Sequence, residues 1–476
     1  MRCRTRVKRL VAVAMWLWPA LVRAETIDWQ QVSDEALQRL QTYIRVDTTN
    51  PPGHETPAAE LLQGWLTAEG IEARLYDPMG DPQRQALVAR LPGPSGSAAS
   101  GRTLVLMSHS DVVPAVAAEW SHPPFAADVA DGTLYGRGVL DTKGLGILQL
   151  TTLLLLHRLG ITPRDEILLL IEPDEEERGG GIQGMLDRHA DLFRNVRMVL
   201  NEGGSGTRGL MKPEQVIFFV QTSEKGAAWM KLTARGDTGH GSVPLPNNAV
   251  VTMARALDRI AKYETPLRPP KAIVGLFNAL ADELPFPDSF VMHHVDSPIV
   301  QTLFRSRLTE RPLINAMLRT TISLTGVHGG YKTNVIPSQV EATLDCRVTV
   351  GDSGDALKRE LEHVVDDPRV TIELVSNGTP NESPIDDTLM SAIRAVSGQH
   401  LPGSIVAPVM TSGVTDSAFF RERNVPAYGF NPIVVTEREL SSQHGIDERC
   451  SVAAFRDAVQ MYYEVVSRLV GAGSGG

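Results

Sequence analysis

EILLLIEPDEEE, residues Glu166–Glu177, carries an apolar run from Ile167 to Ile171 straight into a cluster of acids. A run of that length closed by proline reads as a strand buried on both faces. Working outward, TLVLMSHSD (Thr103–Asp111) has the same form and ends in SHSD, Ser108 to Asp111, while a third strand, Val196 to Leu200, runs into NEGG, Asn201 to Gly204. Between and beyond these strands, Gly144–Leu159 and Gly184–Leu192 read as helices. Strands alternating with helices predict an α/β fold, a mostly parallel sheet covered by helices on both faces. Ligands of such sheets collect beyond the carboxyl ends of the strands, so SHSD, DEEE and NEGG should meet in one crevice.

Further out, Glu35–Val46 and Thr56–Glu69 read as helices, and the Pro/Gly/Ser stretch 92–101 as an exposed connection. From Gln221 the texture changes. Ala228–Ala234 and Glu341–Val350 alternate as half-exposed strands do, around a helix at Asn248–Tyr263. The expected organisation is a catalytic domain in two pieces, 25–220 and 377–470, an inserted α+β lid or dimerisation domain at 221–376, and a Gly/Ser tail at 471–476.

With 476 residues, 42% hydrophobic and 21% charged, the chain is long enough for one large or two medium globular domains. At the N-terminus, Arg2, Arg4, Arg6, Lys8 and Arg9 precede an apolar run from Leu10 to Val22 and the triplet Val22-Arg23-Ala24. Residues 1–24 therefore read as a cleavable export signal; the run is too short for a stable membrane anchor, which needs ~20 residues. Its removal takes the net charge from -10 to -16, a balance unsuited to a nucleic-acid partner. Cys346 and Cys450 then remain, too few for a disulfide framework, and the sequence leaves open whether they pair.

Glu172, Asp174, Glu175, Glu176 and Glu177 on one strand end, with Asp141 (from GRGVLDTKG, 136–144) and Glu202 nearby, place many carboxylates together. Such carboxylates either take up protons or bind cations. Imidazole beside carboxylate suits zinc, cobalt or manganese rather than calcium. The natural reading is a pair of divalent metal ions, with one further acid free to take a proton from a water. Asp111, two residues after His109, is placed to receive the other ring N–H and fix the tautomer. GGGIQG (179–184) satisfies a dinucleotide-binding spacing, but the acids before it would repel a pyrophosphate. No phosphate loop of the Gly-Lys-Ser/Thr type, His-Glu-x-x-His or Gly-x-Ser-x-Gly occurs.

SHSDVVP, YGRGVLDTKG, PDEEE, NEGG, GHGSVP, TNVIPSQVEATLDCR, GVTDSAFF and QHGIDE occur in that order along nearly the whole chain. Together they resemble the dinuclear zinc peptidases and deacylases that include carboxypeptidase S, aminoacylase, glutamate carboxypeptidase and succinyl-diaminopimelate desuccinylase. The carboxypeptidase S branch, with its secreted N-acyl-amino-acid hydrolases, is the most similar. The resemblance implies that His109 and Glu202 bind one metal, Glu176 and His444 the other, and Asp141 bridges them. It makes Glu175 the general base and acid. One departure stands out: a third acid, Glu177, precedes Arg178 and Gly179, so the register admits Glu175 and Glu176 or Glu176 and Glu177, and the Pro-Asp-Glu-Glu start favours the former.

The same resemblance implies that His240 polarises the scissile carbonyl, in many relatives from a partner subunit, and that Asn334 and Arg347 hold the substrate's carboxylate and amide. Gly413 would offer an N–H to that carboxylate, with Asp416 supporting its loop. Three ligand carboxylates against two divalent cations leave a charge near +1, which accommodates a hydroxide and Glu175. The expectation is therefore an exported metallohydrolase in which metal-bound hydroxide cleaves a small peptide or N-acyl amino acid beside a free carboxylate. It would be a possible homodimer through the inserted domain.

Overall fold

The computed structural model describes residues 27–94, 101–177 and 179–471. The expected export signal, and the expected tail after Gly471, lie outside the described residues. Among the described residues, no helix is long and apolar enough to cross a membrane.

The large sheet has nine strands. Edge to edge they run Ala73–Tyr76, Ala86–Leu91, Glu166–Glu172, Thr103–His109, Val196–Arg208, Ala427–Thr436, Val216–Glu224 and Asn381–Glu382, with Ile405–Thr411 also paired to Val216–Glu224. The four central strands are mutually parallel, and the flanking pairs are largely antiparallel. The fold is thus a mixed α/β architecture around a largely parallel sheet.

Period-two alternation decides which side chains face which layer. Leu104, Leu106, Ile167 and Leu169 join the core under the helices Trp29–Ile44, Lys143–Arg158 and Val452–Leu469. Val105, Met107, Leu168 and Leu170 face the other way, onto Ile182, Met185 and Phe420. The helix Lys143–Arg158 is buried from Lys143 to Leu156, which explains why its apolar residues surround the axis instead of forming a stripe. Each fully buried leucine there contributes roughly 1.5–3 kcal/mol.

A second, four-stranded antiparallel sheet runs Thr321–Gly329, Gln339–Val348, Gly226–Arg235, Val370–Leu374. One face carries Met230, Leu232, Ala342 and Leu344 against the helices Ala249–Lys262 and Gly354–Val365, forming a core of its own. The large sheet keeps Val216–Glu224 to its last residue and the second sheet begins at Gly226, so Lys225 alone separates the two sheets here. The helices from Lys271 to Leu318 pack apart from the second sheet's core, with Ile273, Leu276 and Phe277 against Ala407 and Met410 of the Ile405–Thr411 strand. Cys346 and Cys450 are free thiols buried in different cores.

NEGG does not follow its strand but lies within it, since Val196–Arg208 continues past Leu200. The glycines permit this. A Cβ on Gly204 would stand 2.3 Å from the Phe219 carbonyl oxygen, and Gly203 has φ +101°, in the region that favours glycine. The pairing with Ala427–Thr436 shifts register on either side of Asn431, bending the strand at Glu202.

Candidate metal centre

His109 is the last residue of its strand, and Asp141 ends the loop before the helix Lys143–Arg158. Glu175 and Glu176 occupy the turn after Glu172, Glu202 sits at the bend in its strand, and His444 follows the short helix Glu437–Leu440. Asp141 turns Oδ1 to His109 Nε2 at 3.0 Å and Oδ2 to His444 Nε2 at 2.8 Å. His444 Nε2 is also 3.1 Å from Glu176 Oε1, and His109 Nε2 lies 3.9 Å from Glu202 Oε2. Ligand atoms of His109, Asp141 and Glu176, and again of His109, Glu175 and Glu202, fall within 4.8 Å of one another.

The charge balance of this cluster tests whether metals fit it. Burial, reinforced by neighbouring carboxylates, holds Glu175 and Glu202 well above the usual carboxylate range. Although burial opposes both charges, Asp141 is held well below that range by His109 and His444, and His109 is driven well above the usual imidazole value by Asp111 and Asp141. His444 is pushed up to about 10 by its bonds to Asp141 and Glu176. These are the responses of an acid-rich, desolvated cluster to an excess of negative charge. Two imidazoles and several carboxylates, converging with that excess, are the donor set that divalent transition metals take.

Asp111 organises both sides of the cluster. His109 Nδ1 lies 2.9 Å from its carbonyl oxygen and 3.3 Å from Oδ1, while its carboxylate accepts the backbone N–H of Glu175 at 3.2 Å and of Glu176 at 3.1 Å. Those two bonds fix the register of the acidic turn: Glu175 and Glu176 line the cavity, and Glu177 is exposed. Asp174, at φ +70°, and His444, at φ +58°, adopt left-handed backbone, a strain that surrounding structure must hold in place. Behind the turn, Glu172 and Asp416 are a buried carboxyl pair. Burial and Asp416 raise Glu172 well above its usual value, and burial pushes Asp416 up to about 7.

A cavity of about 490 Å³ opens over the cluster, lined by Asp141, Glu175, Glu176, Glu202, His444 and Gly413 and walled by Leu140, Val414, Ile433 and Leu440. Arg347 does not line it. Its guanidinium is held by Asp345 at 2.8 Å, while Nη1 donates to the Ser412 carbonyl at 3.3 Å, next to Gly413. His240 and Asn334 are neighbours of each other instead: Gly239–His240 pairs with Val335–Ile336, and Gly241 N–H donates to the Asn334 carbonyl at 2.8 Å. His240 is exposed, with Nδ1 2.7 Å from Ser242 Oγ, and neither residue lines the cavity of its own chain.

Some contributors escape sequence reading. Glu448 receives Arg137 Nη1 at 2.7 Å and the backbone N–H groups of Gly138, Leu140 and Asp141 at 3.0, 2.8 and 3.3 Å, anchoring the loop that presents Asp141. It stands in QHGIDE, read there for its histidine alone. Gln443 donates to Asp141 Oδ2 at 2.6 Å, and Asn50 bonds Asp111; TTNPPG signals a turn at Asn50 but nothing of that bond.

Comparison with known proteins adds four findings. The model of Peptidase family M20/M25/M40 matches residues 105–468. The N-fatty-acyl-amino acid synthase/hydrolase PM20D1 of Homo sapiens is 32% identical over 383 residues, 78% of this chain and 75% of that protein. Among solved structures, the M20 family metallo-carboxypeptidase Sso-CP2 from Sulfolobus solfataricus superposes with a TM-score of 0.63 at 17% identity, covering 91% of this chain and 98% of that one. The Bacillus subtilis YXEP protein, described as a dinuclear metal binding peptidase, does so with a TM-score of 0.57 at 13% identity, covering 93% and 100%.

Proposed function

This chain belongs to peptidase family M20/M25/M40, whose members are metal-dependent peptidases and amidohydrolases, and from that premise we propose that it is an exported enzyme with a two-metal site that cleaves a peptide or N-acyl amide bond beside a free carboxylate. The observation that carries the reading is Asp141, a single carboxylate presenting one oxygen to each of two histidines. In this reading His109 and Glu202 hold one ion, Glu176 and His444 the other, and Asp141 lies between. Two divalent ions, zinc or else cobalt or manganese, supply Lewis acidity and lower the pKa of a water to near neutrality when bound.

The rest falls to the chain's own residues. Glu175, half-buried at the cavity wall, takes the proton of the attacking water and returns it to the departing amine. Asp111 holds His109 in one tautomer. Arg347 and the Gly413 N–H receive the substrate's carboxylate, a planar guanidinium being suited to two parallel bonds, and Asn334, beside His240, orients the amide of a substrate bound to a second copy of the chain. His240, exposed on the second-sheet side, donates to the carbonyl oxygen of a substrate bound to a second copy of the chain, with residues 221–376 as the lid and dimerisation domain.

The substrate class follows from the cavity and from kinship. Leu140, Val414, Ile433 and Leu440 give one wall an apolar surface suited to an acyl chain, and the human relative is named for N-fatty-acyl amino acids. A panel of N-acyl amino acids and dipeptides, each as free acid and as C-terminal amide, assayed with zinc for amine release, tests the reading. Free acids should be hydrolysed and amides spared; preference for the amides would overturn it.

A further inference from the structure

The acidic turn at Asp174–Glu177 must direct two adjacent glutamates into a cavity already crowded with carboxylates. Left to electrostatics alone, it would swing outward, as Glu177 does. What holds it lies on the far side from the cavity. Asn50 Nδ2 donates to Asp111 Oδ2 at 2.8 Å and to Asp174 Oδ1 at 3.0 Å. Arg84 Nη1 reaches the same Asp174 oxygen at 2.9 Å, while Arg84 Nε and Nη2 grip Glu55 at 3.0 and 2.6 Å. Asp174 Oδ2 accepts the Gly180 N–H at 3.1 Å. Glu55, Arg84, Asp174, Asn50 and Asp111 therefore form one continuous chain of hydrogen bonds, and each of the five is 8% exposed or less.

The segment carrying Asn50 is itself tied down. Thr49 bridges Val112 in parallel, Asn50 N–H donates to the Val112 carbonyl at 2.9 Å, and Thr48 Oγ1 donates to the Ser110 carbonyl at 2.6 Å. At Gly53, with φ +83°, a Cβ would come within 2.4 Å of the Arg84 guanidinium, so only glycine lets the loop close over that side chain.

We infer that Asn50 and Arg84 are positioning residues of the two-metal site: they set Asp174 and Asp111 so that Glu175 and Glu176 enter the cavity in register. Neither touches the cavity. Asn50 acts through Asp111, which bonds His109 and both glutamate N–H groups, and both Asn50 and Arg84 act through Asp174, where the turn begins. The inference rests on the two-metal reading above and extends it to residues remote from the metals.

The test is zinc affinity, measured by competition with a chromophoric chelator on the full-length protein, alongside steady-state kinetics on an N-acyl amino acid. Asn50→Leu keeps the volume and removes both donors. It should fold, bind zinc roughly 10- to 100-fold more weakly, the usual cost of losing a partner that orients a ligand, and at saturating zinc lose kcat with little change in KM. A folded Asn50→Leu with wild-type zinc affinity and kcat overturns the inference.

The paired variant Glu55→Gln/Arg84→Met separates positioning from simple neutralisation of a buried acid. Compared with Arg84→Met alone, it should regain thermal stability while zinc binding stays weak; recovery of both would make Arg84 merely the counter-charge of Glu55 and overturn its role. A wild-type protein that takes up none of zinc, cobalt or manganese would sink the two-metal reading and this inference together, whereas metal-binding wild type with unaltered variants would sink the inference alone.

Discussion

Glu448 and Arg137 form a buried ion pair at 2.7 Å, with Glu448 at 0% and Arg137 at 2% exposure. The same carboxylate receives three backbone N–H groups from the loop ending in Asp141. Glu448→Ala should therefore destabilise the fold by about 3–5 kcal/mol, the cost of stranding a buried guanidinium, as read from urea unfolding. Replacing both residues, Glu448→Leu with Arg137→Met, should recover much of the stability but not zinc binding, because the loop's N–H groups remain without their acceptor.

Glu175→Gln preserves size and removes the base. It should bind zinc normally and lose kcat by about 10²- to 10⁴-fold. Metal analysis and steady-state kinetics on the same preparation check this. Near-normal turnover would remove Glu175 from its role.

Chelation should abolish hydrolysis, and zinc, cobalt or manganese should restore it. The same treatment should lower Tm, since binding to the native state alone stabilises it and withdrawal leaves the carboxylates of the cluster uncompensated. Scanning calorimetry with and without chelator reports the second effect independently of activity.

Arg347→Ala should raise KM for free-acid substrates with a smaller change in kcat and narrow the preference over C-amidated ones. Arg347→Lys should rescue only part, because an ammonium cannot make two parallel bonds. Selectivity unchanged in both variants would argue that Arg347 only ties its strand to the Ser412 loop.

His240 offers a test of action between copies. His240→Ala and Glu175→Gln should each be inactive alone. Mixed and allowed to exchange subunits, they should regain activity, because a mixed pair holds one site with both residues intact. No recovery in a mixture shown to have exchanged would place His240 outside the reaction.

How much of this was legible beforehand depended on how local the signal was. The strand Glu166–Glu172 is read to its last residue because an apolar run meets Pro173, and His109, Asp141, Glu202 and the acidic run holding Glu176 stand out as His or acid near strand ends, whereas His444 and the sorting of ligands come from the family resemblance. Glu202 shows the first limit: a bulged strand held open by Gly203 and Gly204 looks, in sequence, like a strand that has stopped. The helices Lys271 to Leu318 show the second. Nothing in their periodicity says that they pack against Ala407 and Met410, more than a hundred residues on. The third is the buried polar wiring of Glu448, Asn50 and Arg84, ordinary loop residues until folding supplies partners far along the chain. Arg347 and His240 stand between these cases, because their residue types suggest a role while neither lines the cavity of its own chain.

The route of the chain through the cluster, from His109 to His444, also bears on synthesis. Most of the protein must leave the ribosome before His444 is made, and Glu448, which steadies the Asp141 loop, comes later still. A nascent or C-terminally clipped chain lacks His444, one of the five proposed ligands, so the second of the two proposed metal positions gains its last side chain only late in synthesis.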